Sequence, residues 1–115
     1  MAMTVEMITV DCSDPDALAG WWAEAAGGEV NVFAPGEFVV LIRDNGPRLG
    51  FQKVPAVTPG KNRVHVDFTA PDADAEAARL VGLGATERSR HSFGDDFSWI
   101  VLADPEGNEF CVANA

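Results

Sequence analysis

One order of elements occurs twice along this chain, and that repetition constrains the fold more than any single motif. Residues 3–12 carry the β formers Val5, Ile8 and Val10 and predict a first strand. Ser13-Asp14-Pro15-Asp16 is helix-start chemistry: Ser or Asp caps, Pro is tolerated in the first turn, and an early acid suits the dipole. Leu18, Trp21, Trp22 and Ala25 then recur at helical spacing, and Gly27-Gly28 closes the helix. Strands are predicted over 29–33, 38–43 and 48–54, separated by Pro-Gly and Asn-Gly turns. Pro55 to Asn62 reads as a linker. The order then restarts with a strand over 64–69, a helix capped by Asp72, and a strand over 85–90. A polar loop over 91–96 and two closing strands complete it.

Within this repeat Met7 and His65 hold one place, and Gln52 and Cys111 another, because Gly50-Phe51-Gln52 returns as Glu109-Phe110-Cys111. Self-similarity of this kind is evidence about architecture. It predicts a single domain over residues 1–115, with module one at about 1–54, a linker at about 55–62 and module two at about 63–115. At 47% hydrophobic residues the chain has enough apolar material for a core. Eight basic against 18 acidic residues, a net charge of −10, exclude nucleic-acid and anionic-membrane surfaces, which reward basic patches. No apolar run approaches the ~20 residues of a membrane span, and the N-terminus lacks the basic start and apolar core of a signal peptide. Cys12 and Cys111 have no metal-finger or redox spacing. Two free thiols in a reducing, cytoplasmic setting are expected.

Strand alternation assigns faces. Ile8, Val10, Cys12, Val64, Val66, Phe68, Phe110 and Val112 should pack beneath the helices. Met7, Thr9, Asp11, His65, Asp67, Thr69, Glu109, Cys111 and Ala113 should face the other way.

The closing segment carries the clearest signature. Asp104-Pro105-Glu106-Gly107-Asn108 is turn chemistry, with Pro presetting φ and Gly accepting positive φ. It joins strands over 97–103 and 109–113. Together with Val64-His65-Val66-Asp67-Phe68, the run Asp104 to Val112 resembles the glyoxalase-like branch of the vicinal oxygen chelate superfamily. Glyoxalase I, extradiol dioxygenases and bleomycin resistance proteins belong to the same superfamily. The resemblance covers nearly the whole chain. It implies an α+β fold of two βαβββ modules whose strands form a curved mixed-sheet cup for metal and substrate. It also implies a homodimer.

In metal-dependent members the ligand places correspond here to Met7, Gln52, His65 and Cys111. Only His65 keeps the usual type. A thioether, an amide and a thiol do not suit a hard divalent ion, which wants carboxylate and imidazole. No conventional metal cofactor is therefore expected; zinc, another divalent ion or copper(I) held by Met7, His65 and Cys111 together is the alternative. Asp67 and Glu109 are acid/base candidates or solvated strand-end charges. Trp99 either stacks on a flat ligand from the cup wall or packs beneath a helix. Trp21 and Trp22 are adjacent on one helix, so at least one is core. No catalytic residue is assigned. The resulting expectation is a protein that binds a small aromatic or apolar molecule, with Met7, Gln52, His65, Asp67, Trp99, Glu109 and Cys111 lining the cup. The alternative is a metal-dependent lyase, isomerase or dioxygenase.

Overall fold

Met7–Cys12 forms β1, and Asp14 caps the helix that follows, its carboxylate accepting from the Ala17 N–H at 3.2 Å. Helix α1 spans Pro15–Ala26 with Pro15 in its first turn, where a missing N–H costs nothing. Leu18, Ala19 and Trp22 are buried on one side of it, and Trp21 packs edge-on against Trp22 with ring centroids 5.1 Å apart. Trp22 is thus the core tryptophan of the pair. Strands β2 (Glu29–Ala34), β3 (Phe38–Ile42) and β4 (Arg48–Lys53) complete module one. Its sheet has the order β1-β4-β3-β2, with β1 parallel to β4 and the other pairs antiparallel.

Module two repeats the plan. Strand β5 (Val66–Ala70) leads to α2 (Ala73–Leu83), whose cap Asp72 accepts from the Ala75 N–H at 3.1 Å. Strands β6 (Thr86–Phe93), β7 (Phe97–Ala103) and β8 (Glu109–Asn114) follow, in the sheet order β5-β8-β7-β6. Again the first and last strands are parallel and the others antiparallel. The fold is therefore α+β, made of two βαβββ modules, each a four-stranded mixed sheet with one helix. The computed structural model describes residues 3–115, and the chain divides into two compact units between Thr58 and Pro59. Among the described residues no helix is long and apolar enough to cross a membrane.

Each sheet buries one face under its helix. In module one Leu49, Phe51, Val39 and Leu41 form that layer, with Cys12 donating its S–H to the Gln52 carbonyl at 3.6 Å. In module two Phe110, Val112, Ile100 and Leu102 are buried, and Phe68 meets Phe110 edge-on. Asn114 accepts from the N–H of Ala73 in the first turn of α2, and Arg90 of β6 pairs with Asp74 of the same turn. These contacts mark the helix-covered face.

Three sequence expectations change. Strands β1 and β5 begin at Met7 and Val66, later than expected, because the residues before them find no ladder partner. The stretch over 91–96 is not a polar loop: His91, Ser92 and Phe93 continue β6 and pair with Trp99, Ser98 and Phe97. Cross-strand aromatic pairing overrides the polar composition there. The repeat also has a different register. Ile8 stands beside Leu49 and Val66 beside Phe110, while Val54 bonds Cys12 as Ala115 bonds Ala70. With Met7 matched to His65, Gly50 rather than Gln52 is the counterpart of Cys111. Gln52 matches Ala113, two residues along the same face.

Candidate functional site

The open face of module two can be read from its ladders, since directly opposed residues share a face. Asp67, Cys111, Val101 and Ser89 form one row across β5, β8, β7 and β6. Thr69, Ala113, Trp99 and His91 form the next. Phe97 and Phe93 form the last. A shift of one residue would send all of these under α2. Trp99 therefore lies on the Cys111 face, which decides between the two readings left by the sequence.

The first row is polar. One donor atom each from His65, Asp67 and Cys111 lie within 4.8 Å of one another. His65 and Asp67 are exposed, whereas Cys111 is 3% exposed. The side chain of Asn62 fixes this end of the module. Its Oδ1 accepts from the Glu109 N–H at 2.9 Å, and its Nδ2 donates to the Glu109 carbonyl at 3.2 Å and to that of Val64. The approach to β5 is thus held against the start of β8, which keeps His65 near Cys111. Asn62 looked like an unremarkable linker residue; only the long-range bonds reveal its role.

Burial pushes the Cys111 thiol up to about 11, reinforced by its hydrogen bond to the Asp67 carboxylate and by that group's charge. Lys61 acts weakly in the opposite sense and Glu109 in the same one. Lys61 was not foreseen, because it lies outside β8. At neutral pH the group is a thiol, which argues against a covalent nucleophile. The folded state holds this proton more tightly than the unfolded chain does. The associated stability is complete below the ordinary thiol range and is lost as pH rises towards about 11. In a Cys12→Ala background, iodoacetamide labelling of Cys111 should keep rising about tenfold per pH unit between about pH 8 and 10. A plateau near about pH 9 would show an ordinary thiol.

The other rows are aromatic. Trp99 stacks with His91 at 5.4 Å and Phe97 at 5.6 Å, and lies 5.0 Å from Phe93, centroid to centroid. His91 is held by Ser89, its Nε2 lying 2.8 Å from the Ser89 Oγ. Phe93 is 74% and Phe97 50% exposed. Phe93 and His91 were missed in the sequence because their segment read as loop; the β-forming Phe at each end of Gly94-Asp95-Asp96 was the available signal.

Module one presents a different surface. A Cβ at Gly50 would lie 3.0 Å from the Met7 sulfur and the Thr9 hydroxyl and 3.2 Å from Phe38, so glycine lets these three side chains close over the strand. Where module two sets His65 and Asp67 about Cys111, module one sets a thioether and a hydroxyl about a glycine. Asp11 and Gln52 are exposed and opposite one another in the ladder. The duplicated modules have kept the frame and diverged in chemistry.

The model of the glyoxalase-like domain family matches residues 7–113. The chain belongs to the glyoxalase-like family. Solved structures agree with this glyoxalase-like fold. A glyoxalase/bleomycin resistance protein/dioxygenase family enzyme from Burkholderia phytofirmans PsJN is 17% identical, with TM-score 0.82 and coverage of 97% of this chain and 98% of that one. A glyoxalase-related enzyme from Fulvimarina pelagi is 22% identical, with TM-score 0.76 and coverage of 99% and 89%. A lactoylglutathione lyase from Agrobacterium tumefaciens is 17% identical, with TM-score 0.74 and coverage of 100% and 96%. No curated protein matches the chain in sequence. At these identities the structural likeness speaks for the glyoxalase-like fold, and the activity has to be argued from the site.

Proposed function

We propose that this glyoxalase-like protein binds a small planar, aromatic or apolar molecule on the open face of module two. The observation that carries the reading is the half-buried Trp99 flanked by the exposed Phe93 and Phe97, beside the polar row of Cys111 and Asp67. Flat apolar surface of this kind is rare on a solvated sheet and marks a binding site. Trp99 supplies the stacking plane, with the small Ala113 opposite it in the ladder. Cys111 and Ala113 are two residues apart on β8, so the polar row lies about 7 Å from the tryptophan row. A ligand one ring long spans both, its apolar part on Trp99 and a polar substituent at Asp67 or His65.

Binding, rather than covalent chemistry at Cys111, fits a thiol whose proton is held so firmly. The test is saturable quenching of tryptophan fluorescence by 4-nitrophenol, a small planar probe. Trp99→Leu should lose most of the quenching, because Trp99 is the tryptophan on whose ring the probe stacks. Quenching that survives intact in Trp99→Leu places the ligand elsewhere and ends this reading.

A further inference from the structure

We propose that Asn45 and Gly46 form a site of spontaneous covalent modification in module one, where the asparagine side chain closes on the backbone and leaves an isoaspartate. The turn between β3 and β4 reads Asp44-Asn45-Gly46-Pro47, and Asp44, Asn45 and Gly46 are exposed and outside any strand. Asparagine is the labile amide of proteins, and a following glycine favours its reaction because no Cβ hinders approach to the backbone nitrogen. Gly46 has φ +80°, and apart from its chain neighbours a Cβ built on it meets only Arg43 Nη1, at 3.8 Å. The space beside this glycine is therefore open.

The other four asparagines lack this combination. Asn31 precedes the β-branched Val32 and stands in the ladder opposite Val40. Asn62 has both side-chain polar atoms engaged, by Glu109 and Val64. Asn108 Nδ2 donates to the Asp104 carboxylate, and Asn114 Oδ1 accepts from the Ala73 N–H. Asn45 alone is followed by glycine. The β3–β4 ladder closes at Leu41 and Leu49, so a change within residues 44–46 leaves its rungs in place.

The reaction needs no partner but water. The Gly46 amide nitrogen gives its proton to solvent and attacks Cγ of Asn45. The new N–C bond closes a five-membered succinimide, and the Cγ–Nδ2 bond breaks, releasing ammonia. Water then opens the ring at either carbonyl. Opening at Cγ leaves aspartate. Opening at the Asn45 main-chain carbonyl carbon leaves isoaspartate, with the chain continuing through the former side-chain carbon. No oxidation state changes, and either product carries one more negative charge. Arg43 favours the first step, because a guanidinium beside Gly46 eases loss of the amide proton and stabilises the oxyanion that forms at Cγ. Isoaspartate lengthens the main chain of the turn by a methylene carbon and frees an α-carboxylate, the substrate class of a methyltransferase specific for isoaspartyl groups. The site stands on the turn alone and does not depend on the ligand reading.

The experiment ages the folded full chain in mildly alkaline buffer and follows it by tryptic mass mapping. The peptide of residues 44–48 should gain the mass of OH over NH2 and split into an aspartate and an isoaspartate form, the latter accepting a methyl group from an isoaspartyl methyltransferase. The peptides carrying Asn31, Asn62, Asn108 and Asn114 should stay unchanged over the same time. Asn45→Ser should keep the native circular dichroism spectrum and abolish both signals. Arg43→Gln should slow the conversion several-fold. Because alanine at φ +80° strains the turn by itself, a free peptide of residues 41–49 replaces Gly46→Ala as the reference. The folded chain should convert at least as fast as that peptide. A folded chain that stays unmodified while the free peptide converts overturns the proposal. So does earlier conversion at any other asparagine, or methyl acceptance that survives in Asn45→Ser.

Discussion

Phe51→Ala should lower the unfolding free energy by about 3–5 kcal/mol, the range for removing a large aromatic side chain from a core. Phe51 is 0% exposed and sits in β4 between Val10 of β1 and Val39 of β3. It belongs to the face on which α1 packs, since α1 touches β3 and β4. Alanine removes the ring and leaves a cavity, because a β-sheet held by ladders on both sides cannot collapse to fill it. A small domain has a total stability of about 5–15 kcal/mol, so the loss takes a large share of it. Phe51→Leu keeps most of the volume and should cost less than half as much. Denaturant unfolding followed by circular dichroism measures both. A loss below about 1 kcal/mol in Phe51→Ala would show that the β4 ring is not packed as described.

Asp104→Ala should cost about 2–4 kcal/mol, because it strips the closing turn of its acceptor. The carboxylate is 4% exposed. Its Oδ1 accepts from the backbone N–H groups of Glu106 and Asn108, both at 2.9 Å, and its Oδ2 accepts from Asn108 Nδ2 at 2.9 Å. Hydrogen bonds to a charged acceptor are worth about 1.5–3 kcal/mol each, and water entering the half-exposed turn recovers part of the loss. Asp104→Asn keeps one oxygen and should lie between the variant and the wild type. Gly107 adds a separate constraint. Its φ is +90°, with nothing within 4 Å of a built Cβ. Gly107→Val should therefore cost more than about 1 kcal/mol through backbone strain alone, without any clash. Wild-type melting curves for both Asp104→Ala and Gly107→Val would show that this turn does not set the start of β8. That start matters for function, because Cys111 is reached only a few residues later.

Local chemistry in the sequence was enough to determine the elements and the doubled βαβββ order. Asp14 and Asp72 cap the helices, and Asp-Pro-Glu-Gly-Asn makes the last turn, because these effects act within a few residues. Strand alternation likewise sufficed to place His65, Asp67 and Cys111 on one face, since parity is a property of the strand itself. Pairing register was decided only by the tertiary structure. It made Gly50, not Gln52, the counterpart of Cys111, and it set Asp67 directly beside Cys111. It also extended β6 through His91 and Phe93 and so gathered the aromatic group about Trp99. The reason is physical. A donor set or a stacking surface depends on which residues stand opposite each other across strands, and those partners are forty or more positions away for β5 and β8. Side-chain bonds such as those from Asn62 to Glu109, and the field of Asp67 on the Cys111 thiol, come into being only when the distant strands are brought into register.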